Sequence, residues 1–445
     1  MFRFRLGIVA IATALGCVSL APAARASTAA IIQQGVLNGA PYRIAVPANW
    51  NGTLLVYADF YRDKADNASE TDNRAPRSTI PAMDAQRQPV DTEALLLSKG
   101  YALAGTPYRD NGWVVSQGMS DVTALEQYFE STFGKPRQRI LIGASMGALI
   151  AQALDEQKSA PFDGSIAVGD IGAGESGLWD RWLAVGLAYD VAFGWPASWG
   201  TPGNARDARQ TGDPNGGVDF ESEVFPVVYN QVSNPDNKGR FEFIRRVTAS
   251  PDKGFYDETD PGLPGLFVSM AFATEFTAEA QTRFGGRIEQ NRGYVYTLTD
   301  ADRSALRALG VDSDTLLAAM NARTNITADS TARAALLAAG ELSGTPQRPV
   351  LTVKSLGDGI TPPLHDCAYL AKVQSKGNQS MLTQAFVSQT THVQLTPDQL
   401  VDSISAMVNW LASGKKPLTG GSMAALPTSA GFVQGFQPTC WPSDQ

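Results

Sequence analysis

The stretch that decides the fold runs from Arg137 to Gln157, RQRILIGASMGALIAQALDEQ. Ile140, Leu141 and Ile142 form a short continuous apolar run, the form of a buried strand. Beyond Gly147, the apolar Leu149, Ile150, Ala153 and Leu154 recur at helical spacing. Between strand and helix stands Gly143-Ala144-Ser145-Met146-Gly147, a G-x-S-x-G. With glycine at 42 of 445 positions, that pattern alone decides nothing. Its place between a strand and a helix makes it a nucleophile elbow. The sharp turn needs the small Gly143, Ala144 and Gly147. It lifts Ser145 Oγ above the strand ends and aims the backbone N–H of Met146 at a developing oxyanion.

A serine hydroxyl needs a base. The sequence has only two histidines, His365 and His392. His392 follows the apolar segment SMLTQAFVSQ (380–389) and precedes the final helix, so it can fold over the serine from the same sheet edge. His365 falls at the start of a helix, next to Cys367, and is expected to stand outside the reaction. The base needs an acid. Asp358 ends the strand RPVLTVKSLGD (348–358), with Gly357 and Gly359 permitting a tight turn, and lies between serine and histidine in the order Ser…Asp…His. Asp170, ending the strand in AVGD, is the rival acid; Asp366 is a weaker one. A second oxyanion donor is expected on the loop after GTLLVYAD (52–59), from the backbone N–H of Phe60 or Tyr61.

Strand and helix alternate through the first third of the chain, which indicates a mostly parallel central sheet flanked by helices on both faces. QQGVLNGAPYRIAVP carries Asn38-Gly39 between two β-rich runs, a hairpin signal. Residues 62–92 are polar and rich in Arg, Asp and Pro, and read as a long surface loop. SDVTALEQYFESTFGKP reads as a helix with Val122, Leu125, Phe129 and Phe133 on one face. From about 173 to 345 the alternation breaks. Trp179, Trp182, Trp195 and Trp199 crowd together and helical stretches alternate with Gly/Pro turns, which reads as an inserted, mainly helical cap with the tryptophans in its core. The last helix is signed by Thr396 as N-cap, Pro397 at N1, Gln399 completing a capping box and Gly414 at its end, with Leu400, Ile404, Val408 and Leu411 as the buried face.

A 43% hydrophobic, 18% charged composition is that of a globular chain, and a net charge of −8 without a dense basic run argues against nucleic acid or an anionic membrane as partner. Arg3 and Arg5, then LGIVAIATALGCVSLAP, then Ala24-Arg25-Ala26 read as a signal peptide ending at residue 26, which implies a secreted or periplasmic protein. The apolar run of about 15 residues is short of the roughly 20 that span a bilayer, so no transmembrane segment is expected. Ala14 stands where lipoprotein signals carry leucine, against lipid attachment at Cys17. In an oxidising compartment, Cys367 and Cys440 pair. Closing that loop of about 73 residues contributes on the order of 4 kcal/mol. So few Cys and His argue against a metal site, and no cofactor is implied.

With elbow, acid turn GDGITP and His392 in order, the chain resembles the α/β-hydrolase superfamily, over about 27–172 and 346–414, with the core domain expected at 27–172 and 346–418. More narrowly, VPANWNGTLLVYADFYR, GYALAGT, NGW and FGKPRQRILIGASMG look like a group of secreted bacterial hydrolases of this fold. The resemblance implies an α/β-hydrolase core, a cap inserted at 173–345 and a tail at 419–445. It gives Ser145, Asp358 and His392 the nucleophile, acid and base roles. Where many members carry His-Gly, this chain has Asp59-Phe60, so Tyr61 is the carried-over oxyanion donor beside Met146. The expected activity is hydrolysis of a small-molecule or polymeric carboxylic ester, apolar or aromatic. A peptidase or amidase on the same triad, and a binding protein on an inactive scaffold, are the alternatives.

Overall fold

The computed structural model describes residues 29–64, 76–205, 217–256, 264–420 and 423–441. The signal peptide expected at 1–26 lies outside them. The chain opens on a hairpin, β1 (Ile31–Leu37) and β2 (Ala40–Val46), whose turn places Asn38 at φ 52° and Gly39 at φ 87°. Both left-handed residues are what a two-residue turn matched to strand twist requires. Five parallel pairings then follow among β3 (Thr53–Ala58), β4 (Ala102–Thr106), β5 (Gln138–Ala144), β6 (Gly164–Val168), β7 (Val350–Ser355) and β8 (Leu382–Val387). The spatial order is β1-β2-β4-β3-β5-β6-β7-β8, with β1, β2 and β4 joined antiparallel. This is the α/β-hydrolase fold expected from the sequence.

Apolar alternation along the strands serves two faces. Leu54, Val56 and Ala58 of β3 pack with α2 (Val115–Phe133) and α3 (Met146–Asp155), after the short α1 (Thr92–Ser98); Leu55 and Tyr57 pack on the opposite side. That second face is covered by Leu96 of α1 and by the final helix, α8 (Pro397–Ser413). The capping box of Thr396 and Gln399 is present, and Gly414 ends the helix in the left-handed region. Its buried face is Leu400, Ile404, Met407 and Trp410; Val408 and Leu411 are only partly buried. The 62–92 segment is only in part a surface loop, because Ser78, Thr79, Ile80 and Ala82 are buried against this side of the sheet.

Between β6 and β7 the described residues are mostly helical. The segment begins with α4 (Gly174–Phe193) and includes the hairpin of α5 (Gly265–Ala273) and α6 (Glu275–Phe284). It has an apolar cluster of its own, around Leu183, Tyr189, Phe241, Phe243 and Met270. After β7 comes α7 (Leu364–Ser375). The Gly/Pro-rich tail does more than trail: β9 (Leu418–Gly420), β10 (Met423–Ala424) and β11 (Phe432–Val433) extend the sheet beyond β8. Cys367 and Cys440 form a disulfide, and Trp441 beside it is buried against Tyr294 and Tyr296 of the helical segment.

Candidate active site

Ser145 sits between β5 and α3 at φ 56°, ψ −117°. A side-chain-bearing residue in that region stores about 1–3 kcal/mol of strain. The flanking glycines show what holds it. A methyl on Gly143 would stand 2.0 Å from the carbonyl oxygen of Gly147, and one on Gly147 would stand 2.1 Å from that of Ala58 and 2.6 Å from that of Asp59. The turn is therefore pressed onto itself and onto the end of β3. Ser145 N–H donates to Val168 O at 2.9 Å, which anchors it to the end of β6. The N–H groups of Ala148 and Leu149 are taken by Ser145 O. The N–H of Met146, in the first turn of α3, has no intrahelical acceptor.

His392 lies on the loop between β8 and α8, at the same sheet edge as the serine. A methyl on Gly169, one residue past β6, would stand 3.0 Å from the His392 ring. His392 Nδ1 is 2.7 Å from Asp358 Oδ2. Nε2 is buried without a hydrogen-bond partner, so a bond to Ser145 Oγ is not closed in this structure. Such bonds commonly tighten only with substrate in place. Val393, next to the histidine, is held at φ 51°, an outlier for a β-branched residue. Asp358 is fully buried, with Oδ1 accepting from the N–H groups of Ile360 (3.0 Å) and Thr361 (2.9 Å). Burial pushes its carboxyl up, but the His392 imidazole, its hydrogen bond and Lys354 outweigh this and hold it below the ordinary carboxylate value.

Asp170 and Asp366 do not reach His392. They are buried around Lys354, whose ammonium lies 3.2 Å from Asp170 and 3.7 Å from Asp366. Burial, and then the Asp170 carboxylate, push Asp366 well above its ordinary value, so it is the neutral acid of that group. His365 is enclosed on α7, where it accepts the Ala173 N–H through Nδ1 at 3.4 Å. Burial and the nearby cations Lys354 and Arg181 hold it uncharged.

The loop after β3 is organised by Asp59, which in the sequence stands out only as a departure from a familiar pattern. Its buried carboxylate accepts from Tyr57 Oη at 2.9 Å, Phe60 N–H at 3.0 Å and Arg62 Nη2 at 2.5 Å. Tyr108 Oη, from a residue held at φ 70°, donates to its carbonyl at 2.6 Å. Phe60 N–H is thus committed, which leaves Tyr61 N–H of the two expected donors. The Tyr61 ring lies against Phe276 (4.8 Å between centroids) and Phe272 (5.2 Å) of the α5–α6 hairpin. Phe272 stacks on Trp182 at 3.7 Å, and Trp113, Trp179 and Trp182 meet edge to face. Two further residues were invisible to sequence reasoning. Lys354 lies in an ordinary-looking apolar strand, one residue before its end, and Arg181 sits fully buried in α4 with Nη2 on Ser250 Oγ at 2.7 Å and Nη1 on Ile360 O at 3.4 Å. Among the described residues, no group of His, Cys, Asp and Glu could hold a metal ion, and no helix is long and apolar enough to cross a membrane.

No family model matches the chain. It is 25% identical over 431 residues to the o-phthalyl amidase of Xanthobacter agilis, across 86% of this chain and 87% of that one. Among solved structures, feruloyl esterase B from Aspergillus oryzae aligns with 87% of this chain and 81% of its own, at 15% identity and a TM-score of 0.38. The rice cell wall degrading esterase LipA from Xanthomonas oryzae aligns with 84% of this chain and 85% of its own, at 14% identity and a TM-score of 0.34. Superpositions this loose transfer no residue's role.

Proposed function

We propose that this chain is a serine hydrolase that cleaves carboxylic esters through an acyl-enzyme. Ser145 Oγ attacks the carbonyl carbon and His392 Nε2 takes its proton. Asp358 holds Nδ1–H and stabilises the imidazolium that forms. The N–H groups of Met146 and Tyr61 receive the oxyanion. His392 then hands the proton to the leaving alcohol, and a water molecule repeats the sequence to free the acid. The observation that carries this reading is the 2.7 Å contact of Asp358 Oδ2 with His392 Nδ1, at the strand edge where a serine is held at φ 56°. It commits Nδ1 to the acid and leaves Nε2 as the proton acceptor.

Residues 173–345 act in this reading as a cap, and the rings around Tyr61 favour an aromatic acyl group. The leader expected at 1–26 makes the enzyme a secreted or periplasmic one. A second reading, hydrolysis of an amide on the same residues, is supported by the similarity to the o-phthalyl amidase.

A fluorophosphonate probe with matched aryl esters and anilides tests both. The wild type is expected to be labelled and to hydrolyse the esters. Ser145→Ala is expected to lose the label and about 10³-fold or more in kcat. A folded wild type that takes no label, or an S145A variant that keeps its activity, overturns the reading. Cleavage of anilides but not of esters replaces it with the amidase.

A further inference from the structure

Thr361 lies three residues past Asp358, on the far side of the acid turn from Ser145 in sequence and directly against the carboxylate in space. Its hydroxyl stands 2.9 Å from Asp358 Oδ2, the oxygen that also faces His392 Nδ1 at 2.7 Å. Lys354 Nζ donates to that hydroxyl at 3.3 Å, to Thr361 O at 2.7 Å and to Asp170 O at 2.7 Å. A threonine hydroxyl has one proton to give. Two acceptors face it, Asp358 Oδ2 and Gly169 O at 3.2 Å, while His392 Nδ1, whose proton goes to Asp358, lies 3.4 Å away. Lys354 facing Oγ1 turns the hydroxyl dipole so that its proton points away from the ammonium, and the nearest anion in that direction is Asp358.

We propose that Lys354 and Thr361 form a positioning relay, in which the ammonium orients the Thr361 hydroxyl and the hydroxyl sets how tightly Asp358 holds His392. Thr361 touches neither substrate nor Ser145 in this scheme; it acts through the acid. The proposal rests on the reading of Ser145, His392 and Asp358 as a triad. The charged and titratable groups facing Asp358 are His392 from the β8–α8 loop, Lys354 from β7 and Arg181 from α4. Behind Lys354 stand Asp170 from the end of β6, and Asp366 and His365 from α7. Changing the hydroxyl leaves all of these groups in place and takes one hydrogen bond, at 3.3 Å, from Lys354. Lys354 keeps its bonds to two carbonyls when the hydroxyl is removed, so the fold is not at stake.

A carboxylate that loses a donor becomes a stronger base and holds an imidazolium more firmly. Thr361→Val, nearly the same shape, is therefore expected to move the acid limb of the kcat/KM profile upward by about half a unit, which lowers kcat/KM about threefold at a pH on that limb and little above it. Thr361→Ser restores the hydroxyl and is expected to return both to within about twofold of wild type. The same shift is readable without any substrate. With two histidines in the chain, the His392 ring protons can be followed by NMR, and their titration midpoint is expected to rise in T361V and not in T361S. A midpoint that stays put in T361V, or a T361S variant as impaired as T361V, overturns the relay. Retained activity in S145A overturns the triad instead, and the NMR midpoint then decides independently whether the Thr361 hydroxyl tunes the Asp358–His392 pair.

Discussion

At the strand ends, contacts are short, polar and made largely by backbone. Gly143 and Gly147 leave no room for a methyl group, Asp59 gathers Tyr57, Phe60 and Arg62 onto one carboxylate, and the acid turn closes on two of its own N–H groups. In the helical segment the contacts are broad and apolar. Trp179, Trp182 and Phe272 fill space against one another, as do Tyr189, Trp195 and Trp199. One region is fixed by directions and the other by volume. Changes at the first should therefore act on rate, and changes in the second on stability and on the size of group accepted.

The hardest test of that division is Gly147→Ala. The new methyl must displace the carbonyls of Ala58 and Asp59, and neither can rotate away, because both are backbone. That would separate the elbow from the loop bearing Tyr61. Hydrolysis is expected to fall by about 10³-fold, the scale of losing an oxyanion donor, with a much smaller loss in Tm. Steady-state kinetics and a melting curve check it. A variant with nearly wild-type kcat would show that the close approach of α3 to β3 is packing and not catalytic geometry.

The same division explains what could be read from sequence. Ser145, Asp358 and His392 stood out because strand ends carry local signatures: glycines around a serine, an aspartate after a strand, one of two histidines before a capped helix. Their supports did not. Lys354 looked like the polar end of a strand, yet it is fully enclosed, because Asp170, Asp366 and Asp358 reach it from three different elements, the first of them 184 residues earlier. Asp59 stood out only as a departure from His-Gly; only the folded loop shows three donors meeting on it. β9 to β11 are two or three residues long and sit in a Gly/Pro-rich tail, so no periodicity could mark them. In the helical segment the tryptophans read as the core of the insertion, but Trp179 and Trp182 pack into the sheet's own cluster with Trp113, and Trp199 alone of the four is buried in the insertion's cluster; which ring faces which is decided by α4 meeting the α5–α6 hairpin, about 80 residues later, and pattern reading does not reach that far.

A milder test comes from the other side. Phe272 stacks on Trp182 and lies within 5.2 Å of the Tyr61 ring. Phe272→Ala removes the ring and leaves a cavity, at a cost of about 3–5 kcal/mol. The Tm is expected to drop by several degrees. Kinetics with a short aliphatic ester are expected to stay within about tenfold of wild type, a change too small for loss of an oxyanion donor. The ratio of kcat/KM for a bulky aryl acyl ester over that aliphatic ester is expected to rise about tenfold, one aromatic ring's worth of pocket selectivity. A fall in both activities together would place Phe272 among the supports of the oxyanion loop and dissolve the boundary between the two regions.

The finest test lies on that boundary. Glu175, in the first turn of α4, is fully buried and accepts from Trp113 Nε1 at 2.9 Å. Burial pushes its carboxyl from 4.5 up to about 8, against the pull of the Trp113 hydrogen bond. The folded chain therefore keeps a proton here that the unfolded chain releases. The stabilisation is full below the unfolded value near 4.5 and is lost as pH rises through about 8. Glu175→Gln keeps an acceptor for Trp113 and has no proton to lose. Between pH 6 and pH 9 its Tm is expected to fall by about 2–4 °C less than that of the wild type. Asp155 and Glu289, pushed up to about 8 and about 7 by burial, titrate in both proteins and cancel in the difference. Parallel melting curves across that range would mean that α4 meets the Trp113 loop through packing alone, and that the directional chemistry of the strand ends stops short of the insertion.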